Sequence, residues 1–121
     1  MHNEWYKKFR KSGMIAKSAL YSARLMVEFE NREDLRIGID PEYENYFDVY
    51  GEPDTKKEKE SIMHYLDLWG LYTVYVEYKC KQCGEWILGD SVGMCCYEDP
   101  ADPLENWYIP DLIAGTIAIA N

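Results

Sequence analysis

The sequence predicts an α+β domain, a small antiparallel sheet of three to four strands packed with about three helices. Three observations carry that reading. Residues 14–29 repeat apolar side chains at spacings of three and four, residues 54–70 hold a helix with marked start and stop, and residues 71–97 are rich in β-branched and aromatic side chains punctuated by glycine. At 121 residues the chain suits one compact domain over 1–121, because two cores would leave each too small to be secure.

Taken in order, residues 1–12 are expected as a flexible basic segment or a short turn. A first helix follows over about 13–31, with Ile15, Ala19, Ala23, Met26 and Val27 on one stripe, Leu20 and Leu25 beside it, and Gly13 and Asn31 at its ends. Leu35, Ile37 and Ile39 alternate with Arg36 and Gly38, which predicts a short strand stopped by Asp40-Pro41. Residues 43–50 mix rings and acids without a clean period and read as a strand or an irregular acidic loop. Thr55 followed by Glu58 has the pattern of a capping box; the stripe Ile62, Met63, Leu66 and Trp69 then continues to Gly70, a C-terminal cap. Residues 71–78 give the best strand. Residues 86–88 and 92–97 give two shorter ones, with Gly84, Gly89 and Gly93 as turns or bulges. Residues 98–103 read as a turn-rich acidic loop, and Asp111 to Ala120 as an apolar helix on the sheet, started by Pro110. The expected core joins Ile62, Leu66, Trp69, Val74, Val76, Leu20 and Val27.

Charge narrows the function classes. The chain carries a net charge of -9, sharply polarised: residues 1–27 hold six basic groups against Glu4, whereas residues 28–121 hold seven basic and 21 acidic. An acidic body repels phosphate at long range and speeds encounter with a basic surface, so nucleic acid is not the expected partner. No apolar run reaches the roughly 18 residues of a spanning helix, and the N-terminal residues lack a signal-like apolar stretch, so the expected place is the cytoplasm with no membrane contact.

All four cysteines fall in 17 residues: Cys80, Cys83, Cys95 and Cys96. Cys80-Lys81-Gln82-Cys83-Gly84 resembles the knuckle of a zinc ribbon, in which two thiolates meet one metal and glycine relieves the tight backbone. The resemblance spans residues 80–96 at most and is complete only in its first half. Adjacent Cys95 and Cys96 would point to opposite faces of a strand unless a bulge at Gly93 or Met94 turned both inward; otherwise His64, Asp90 or water would complete three thiolates. The expectation is structural zinc on Cys80, Cys83, Cys95 and Cys96. Buried free thiols, disulfides formed on purification and a redox dithiol remain open.

Catalytic motifs are weak. Gly89-Asp90-Ser91-Val92-Gly93 matches the Gly-x-Ser-x-Gly elbow, but β-prone residues follow it where a helix should, and a turn is the simpler reading. His64 lies inside a helix. The acids Asp40/Glu42/Glu44 and Asp99/Asp102/Glu105 lack Ca²⁺-loop spacing and read as solvated surface. No phosphate-binding glycine loop is present. An enzyme is therefore not expected.

What the composition favours is a protein-binding module. In residues 40–54, Asp40, Glu42, Glu44, Asp48, Glu52 and Asp54 interleave with Tyr43, Tyr46, Phe47 and Tyr50; in 97–111, Glu98, Asp99, Asp102, Glu105 and Asp111 interleave with Tyr97, Trp107 and Tyr108. Neither stretch holds a lysine or arginine. Spaced carboxylates can imitate phosphates, and tyrosines give contact area at low entropic cost. In composition the chain is similar to small acidic proteins of phages and mobile elements that block host defence nucleases, which implies an inhibitor docking on a basic, nucleic-acid-binding surface of a larger protein. The simpler alternative is that the rings fill the core and the acids solvate loops. A second hypothesis is a zinc-ribbon adaptor that binds nucleic acid through Lys7, Lys8, Arg10, Lys11 and Lys17, helped by Lys79 and Lys81.

Overall fold

In a computed structural model the described residues are 2–42, 46–95 and 99–120, with backbone alone for 69, 94 and 95. The architecture is α+β, with five helices and three antiparallel strands among the described residues: α1 (His2–Lys11), α2 (Ala16–Asn31), β1 (Leu35–Pro41), α3 (Tyr46–Tyr50), α4 (Lys56–Trp69), β2 (Tyr72–Lys79), β3 (Trp86–Cys95) and α5 (Tyr108–Ala120). The strands lie in the order β1-β2-β3.

Period-two alternation decides the sheet's two faces. Leu35, Ile37, Val74 and Val76 stand on the face that α5 covers, and Leu35, Val74 and Val76 are buried. Arg36 stands on the other face directly opposite Glu77, with an ion pair of 2.9 Å. Pro41 ends β1, an edge strand where a missing N–H is tolerated. The two short strands expected at 86–88 and 92–97 are one strand as far as Cys95. The register shifts twice along it, between the pairs Tyr75–Ser91 and Glu77–Leu88, and again between Tyr72–Cys95 and Val74–Val92. Two residues, Gly89 and Asp90, thus face Val76 alone, and the bulge sits where glycine had marked an interruption.

The bulge positions α5. A Cβ built at Gly89 would overlap the Thr116 side chain, so glycine there lets helix and sheet approach closely. The Thr116 hydroxyl accepts the Asp90 N–H at 3.0 Å and donates to Leu112 O at 2.8 Å. Helix α5 starts at Tyr108, earlier than expected, with Pro110 inside its first turn where no intrahelical N–H is lost. Its buried residues Ile109, Leu112 and Ile113 join Val74, Val76, Leu35 and α2's Ala19, Ala23 and Met26 in one core.

Helices α1 and α2 correct two expectations. Residues 2–11 are a helix rather than a flexible segment, because Phe9 is fully buried in the core and its neighbour Trp5 stacks on it at 5.7 Å between ring centroids. In α2 the buried stripe is Ala19, Ser22, Ala23 and Met26; Leu20 and Val27 lie only partly buried beside it and Ile15 is 67% exposed. Small residues bring α2 close to its neighbours, so the bulkier side chains are displaced to the flank. Ile62 and Leu66 are also outside the core cluster, while the Trp69 side chain lies outside the described residues.

Candidate functional site

Residues 46–50, read as strand or loop, form the short helix α3. Behind it the expected cap of α4 is present: Thr55 Oγ1 accepts the Glu58 N–H at 3.1 Å. At the other end Gly70, at φ 78°, donates its N–H to Leu66 O at 2.9 Å. Lys59 ties the two helices together, with Nζ 2.8 Å from Glu52 Oε2 and 5.2 Å from the centroid of the Phe47 ring. Tyr46, Phe47, Met63, Leu66 and Asp67 wall an open cleft of about 300 Å³ between them.

None of the described residues of α4 is buried. Ile62 and Leu66, four apart, turn one partly covered face inward, but Met63, Tyr65 and Leu68 are 47%, 48% and 57% exposed. Tyr65 and Leu68, three apart, share a second face. On α3, Val49 and Tyr50 are also about half exposed. Around this apolar surface the carboxylates of Asp48, Glu52, Asp54, Glu58, Glu60 and Asp67 are exposed. The rings of residues 46–50 therefore divide: Tyr46 and Phe47 are partly covered, and Tyr50 faces solvent against Tyr46 at 4.7 Å. Asp40 is exposed on β1, whereas Glu42 receives a hydrogen bond from the Thr73 hydroxyl; Tyr43 and Glu44 lie outside the described residues.

The second acidic stretch has a different use. Asp99 Oδ1 accepts Ala101 N–H at 3.2 Å, Asp102 Oδ1 accepts Leu104 N–H at 2.9 Å, and Asn106 Nδ2 donates to Asp99 O at 2.8 Å. Tyr108 OH donates to Pro100 O at 3.0 Å. Trp107 lies over Gly13 and reaches Ser12 Oγ with its indole N–H at 3.3 Å. These contacts fold the loop and dock it on the α1–α2 turn, while Asp99, Glu105 and the 44%-exposed Trp107 still face solvent. Tyr97 and Glu98 lie outside the described residues.

The cysteines are divided as well. Cys80 and Cys83 share the tip of the β2–β3 hairpin, where Gly84 at φ 74° turns the chain and donates to Cys80 O at 2.9 Å. Cys80 N–H closes the loop on Glu85 O at 2.8 Å. The Cys83 N–H points at Cys80 Sγ, 3.5 Å away, and this bond holds the Cys80 thiol below its ordinary pKa, aided by the Cys83 side chain and the Gln82 N–H. Cys95, by contrast, pairs with Tyr72 while Lys79 pairs with Trp86. Seven ladder positions at roughly 3.3 Å each put its backbone about 23 Å from the hairpin tip. The ladder does not bring Cys95 to the Cys80–Cys83 pair, because the bulges turn the strand without folding it back. Cys96 lies outside the described residues. Among the described residues no three His, Cys, Asp or Glu side chains are grouped so that they could hold a metal ion.

Ser91 sits within β3, opposite Tyr75, and not at a strand-to-helix elbow or a simple turn. His64 is exposed on α4, 6.0 Å from the Tyr65 ring. Of the basic N-terminal groups, Lys8 lies over the Trp5 ring at 5.0 Å and Arg10 donates to Met14 O at 3.2 Å. What the sequence reading missed is the apolar pair Tyr65 and Leu68. Their signal was present, since both fall off the Ile62–Leu66 stripe and give α4 two apolar faces. No described helix is long and apolar enough to cross a membrane. Comparison with protein-family models, with curated proteins and with solved structures finds no match.

Proposed function

We propose that the protein is a non-catalytic docking module whose α3–α4 arm seats on a larger protein, at an apolar site rimmed by basic groups. One observation carries the reading: α4 is capped at both ends, yet none of its described side chains is buried and Met63, Tyr65 and Leu68 stay about half exposed. A 14-residue helix gains most of its stability from an apolar face packed on something, and clustered exposed apolar side chains mark interaction surfaces. Covering the exposed half of each of these side chains is worth about 1 kcal/mol.

Charge supplies the partner's chemistry. Six exposed carboxylates on residues 46–70 outnumber Lys56, Lys57 and Lys59, one of which already serves Glu52. A basic rim pairs with that surplus and accelerates encounter. The nucleic-acid-binding surface of a nuclease has such a rim, and a carboxylate-bearing arm seated there would act as an inhibitor. The 99–107 stretch is the weaker candidate, because Asp99, Asp102 and Asn106 are bonded within their own loop.

The test is affinity capture with the intact chain, followed by cross-linking to map the contact. The arm is expected to cross-link, and Leu68→Lys with Tyr65→Lys should abolish capture while the melting temperature stays within a few degrees. Capture should weaken as salt rises, and Ser91→Ala should leave it unchanged. Capture that survives the double arm substitution overturns the proposal.

A further inference from the structure

We infer that Cys80 and Cys83 form one half of a zinc site, completed by the same two residues of a second copy of this chain. This goes beyond the docking reading and rests on other residues, at the end of the sheet away from β1's exit into the arm. The hairpin tip is already shaped for a metal: Gly84 in a left-handed conformation, a backbone N–H aimed at Cys80 Sγ, and Cys83 exposed to solvent. A backbone donor to sulfur offsets the negative charge a coordinating thiolate keeps, which is the role outer-shell donors play around metals.

Ligand number points to the second copy. Structural zinc takes four protein ligands in a tetrahedron. This chain brings two thiols to the tip, Cys95 is about 23 Å away by ladder spacing, and no third His, Cys, Asp or Glu converges there among the described residues. A twofold axis through the metal supplies two more identical thiolates, because such an interface repeats the same patch on both sides.

Charge and surface agree. Two chains of net charge -9 repel over most of their surfaces. The hairpin tip is the exception, since residues 79–85 hold Lys79 and Lys81 against Glu85 alone. Four thiolates around Zn²⁺ leave two negative charges, and the four lysines of the two tips surround them. Ile87, beside Cys80 and Gln82 at the base of the hairpin, is 38% exposed and gives the second copy apolar surface to cover.

The experiment uses the full chain under a non-thiol reductant. Cobalt(II), a spectroscopic substitute for zinc, is titrated while absorption and mass are followed, the latter by light scattering. The expected end point is one cobalt per two chains, with strong thiolate-to-metal charge-transfer bands, tetrahedral d–d bands and twice the monomer mass, all reversed by a chelator. Zinc should displace the cobalt and keep the doubled mass. Cys83→Ser, at an exposed position, should weaken metal binding at least tenfold and leave the chain monomeric, whereas Cys95→Ser with Cys96→Ser should change neither. One metal per monomeric chain, no thiolate bands, or a dimer indifferent to chelator each overturns the inference. These readings come from the unsubstituted chain, so they decide the matter even if a variant misfolds.

Discussion

Helices α2 and α4 differ in the opposite way from what their sequences advertise. Helix α4 has a side-chain cap at Thr55 and a glycine stop at Gly70, but none of its described residues is buried. Helix α2 starts at Ile15 with no side-chain cap, yet buries Ala19, Ser22, Ala23 and Met26. Local signals decide that a helix forms and where it ends, whereas packing decides what it contributes to the fold. A helix that starts without a side-chain cap is held by its contacts; a helix without buried contacts needs its caps. That division leaves α4 as the element with surface to offer.

The largest effect should come from breaking the α2 side. Met26→Ala removes a buried side chain from the shared core and should cost about 2–5 kcal/mol, read as a lower denaturant midpoint. Leu66→Ala, on the half-covered face of α4, should cost about 1 kcal/mol or less. Equal losses from the two would place α4 in the core and erase the contrast.

Gly89→Val comes next. The added side chain would meet Thr116 where α5 approaches the β3 bulge, and overpacking of this kind costs about 1–3 kcal/mol. The same substitution at Gly51, where a Cβ meets nothing within 4 Å, tests backbone conformation alone, because its φ is 79°. No loss at Gly89 would show that close approach is not what fixes α5.

Much of the fold was legible because it rests on periods the sequence displays. Alternation at Leu35, Ile37 and Ile39 located β1, Thr55 and Gly70 located α4, and the run from Leu71 located β2. The face each helix buries was less legible. Nothing local tells that Ser22, a polar residue, lies inside while Ile15 is outside; close packing among helices rewards small residues at the contact. Residues 2–11 looked polar and mobile because their anchors, buried Phe9 with Trp5 and Tyr6 packed beside it, are set among charged residues. For the candidate site, composition found the acidic segments but could not tell Asp99 and Asp102, whose carboxylates accept backbone N–H groups of their own loop, from Asp48 and Asp54 on the α3–α4 arm. The cysteine knuckle was legible in Cys80–Gly84, but its separation from Cys95 needed the strand register.

The cap on α4 should show a smaller and more local effect. Thr55→Ala removes the acceptor for the Glu58 N–H and should cost about 1 kcal/mol. Because none of the described residues of α4 is buried, hydrogen exchange at residues 56–60 should accelerate several-fold while amides of β2 stay protected. Uniform acceleration across both elements would mean that α4 and the core unfold together.

The smallest effect concerns how α2 ends. Its last turn runs into Arg32, which bonds Asp34 through Nε and Nη2 at 2.9 Å each and reaches Glu28 at 3.3 Å. The hydrogen bond from Arg32 holds the Asp34 carboxyl below its ordinary value of 3.8, against a smaller opposing push from burial. A depressed carboxylate contributes stability that is present above the unfolded pKa and is lost as pH falls through the folded one. The clasp should therefore act at neutral pH and fade below about pH 4. Asp34→Asn should cost less than about 1 kcal/mol at pH 7, since the pair is partly exposed to solvent. Its melting temperature should converge on that of the unsubstituted chain as pH falls through the depressed pKa of Asp34, below which both carry a neutral side chain. The hydroxyl and glycine caps of α4 do not titrate, so Thr55→Ala should keep the same offset across that range. A gap for Asp34→Asn that stays constant, or widens in acid, would show that the clasp does not close α2 by charge.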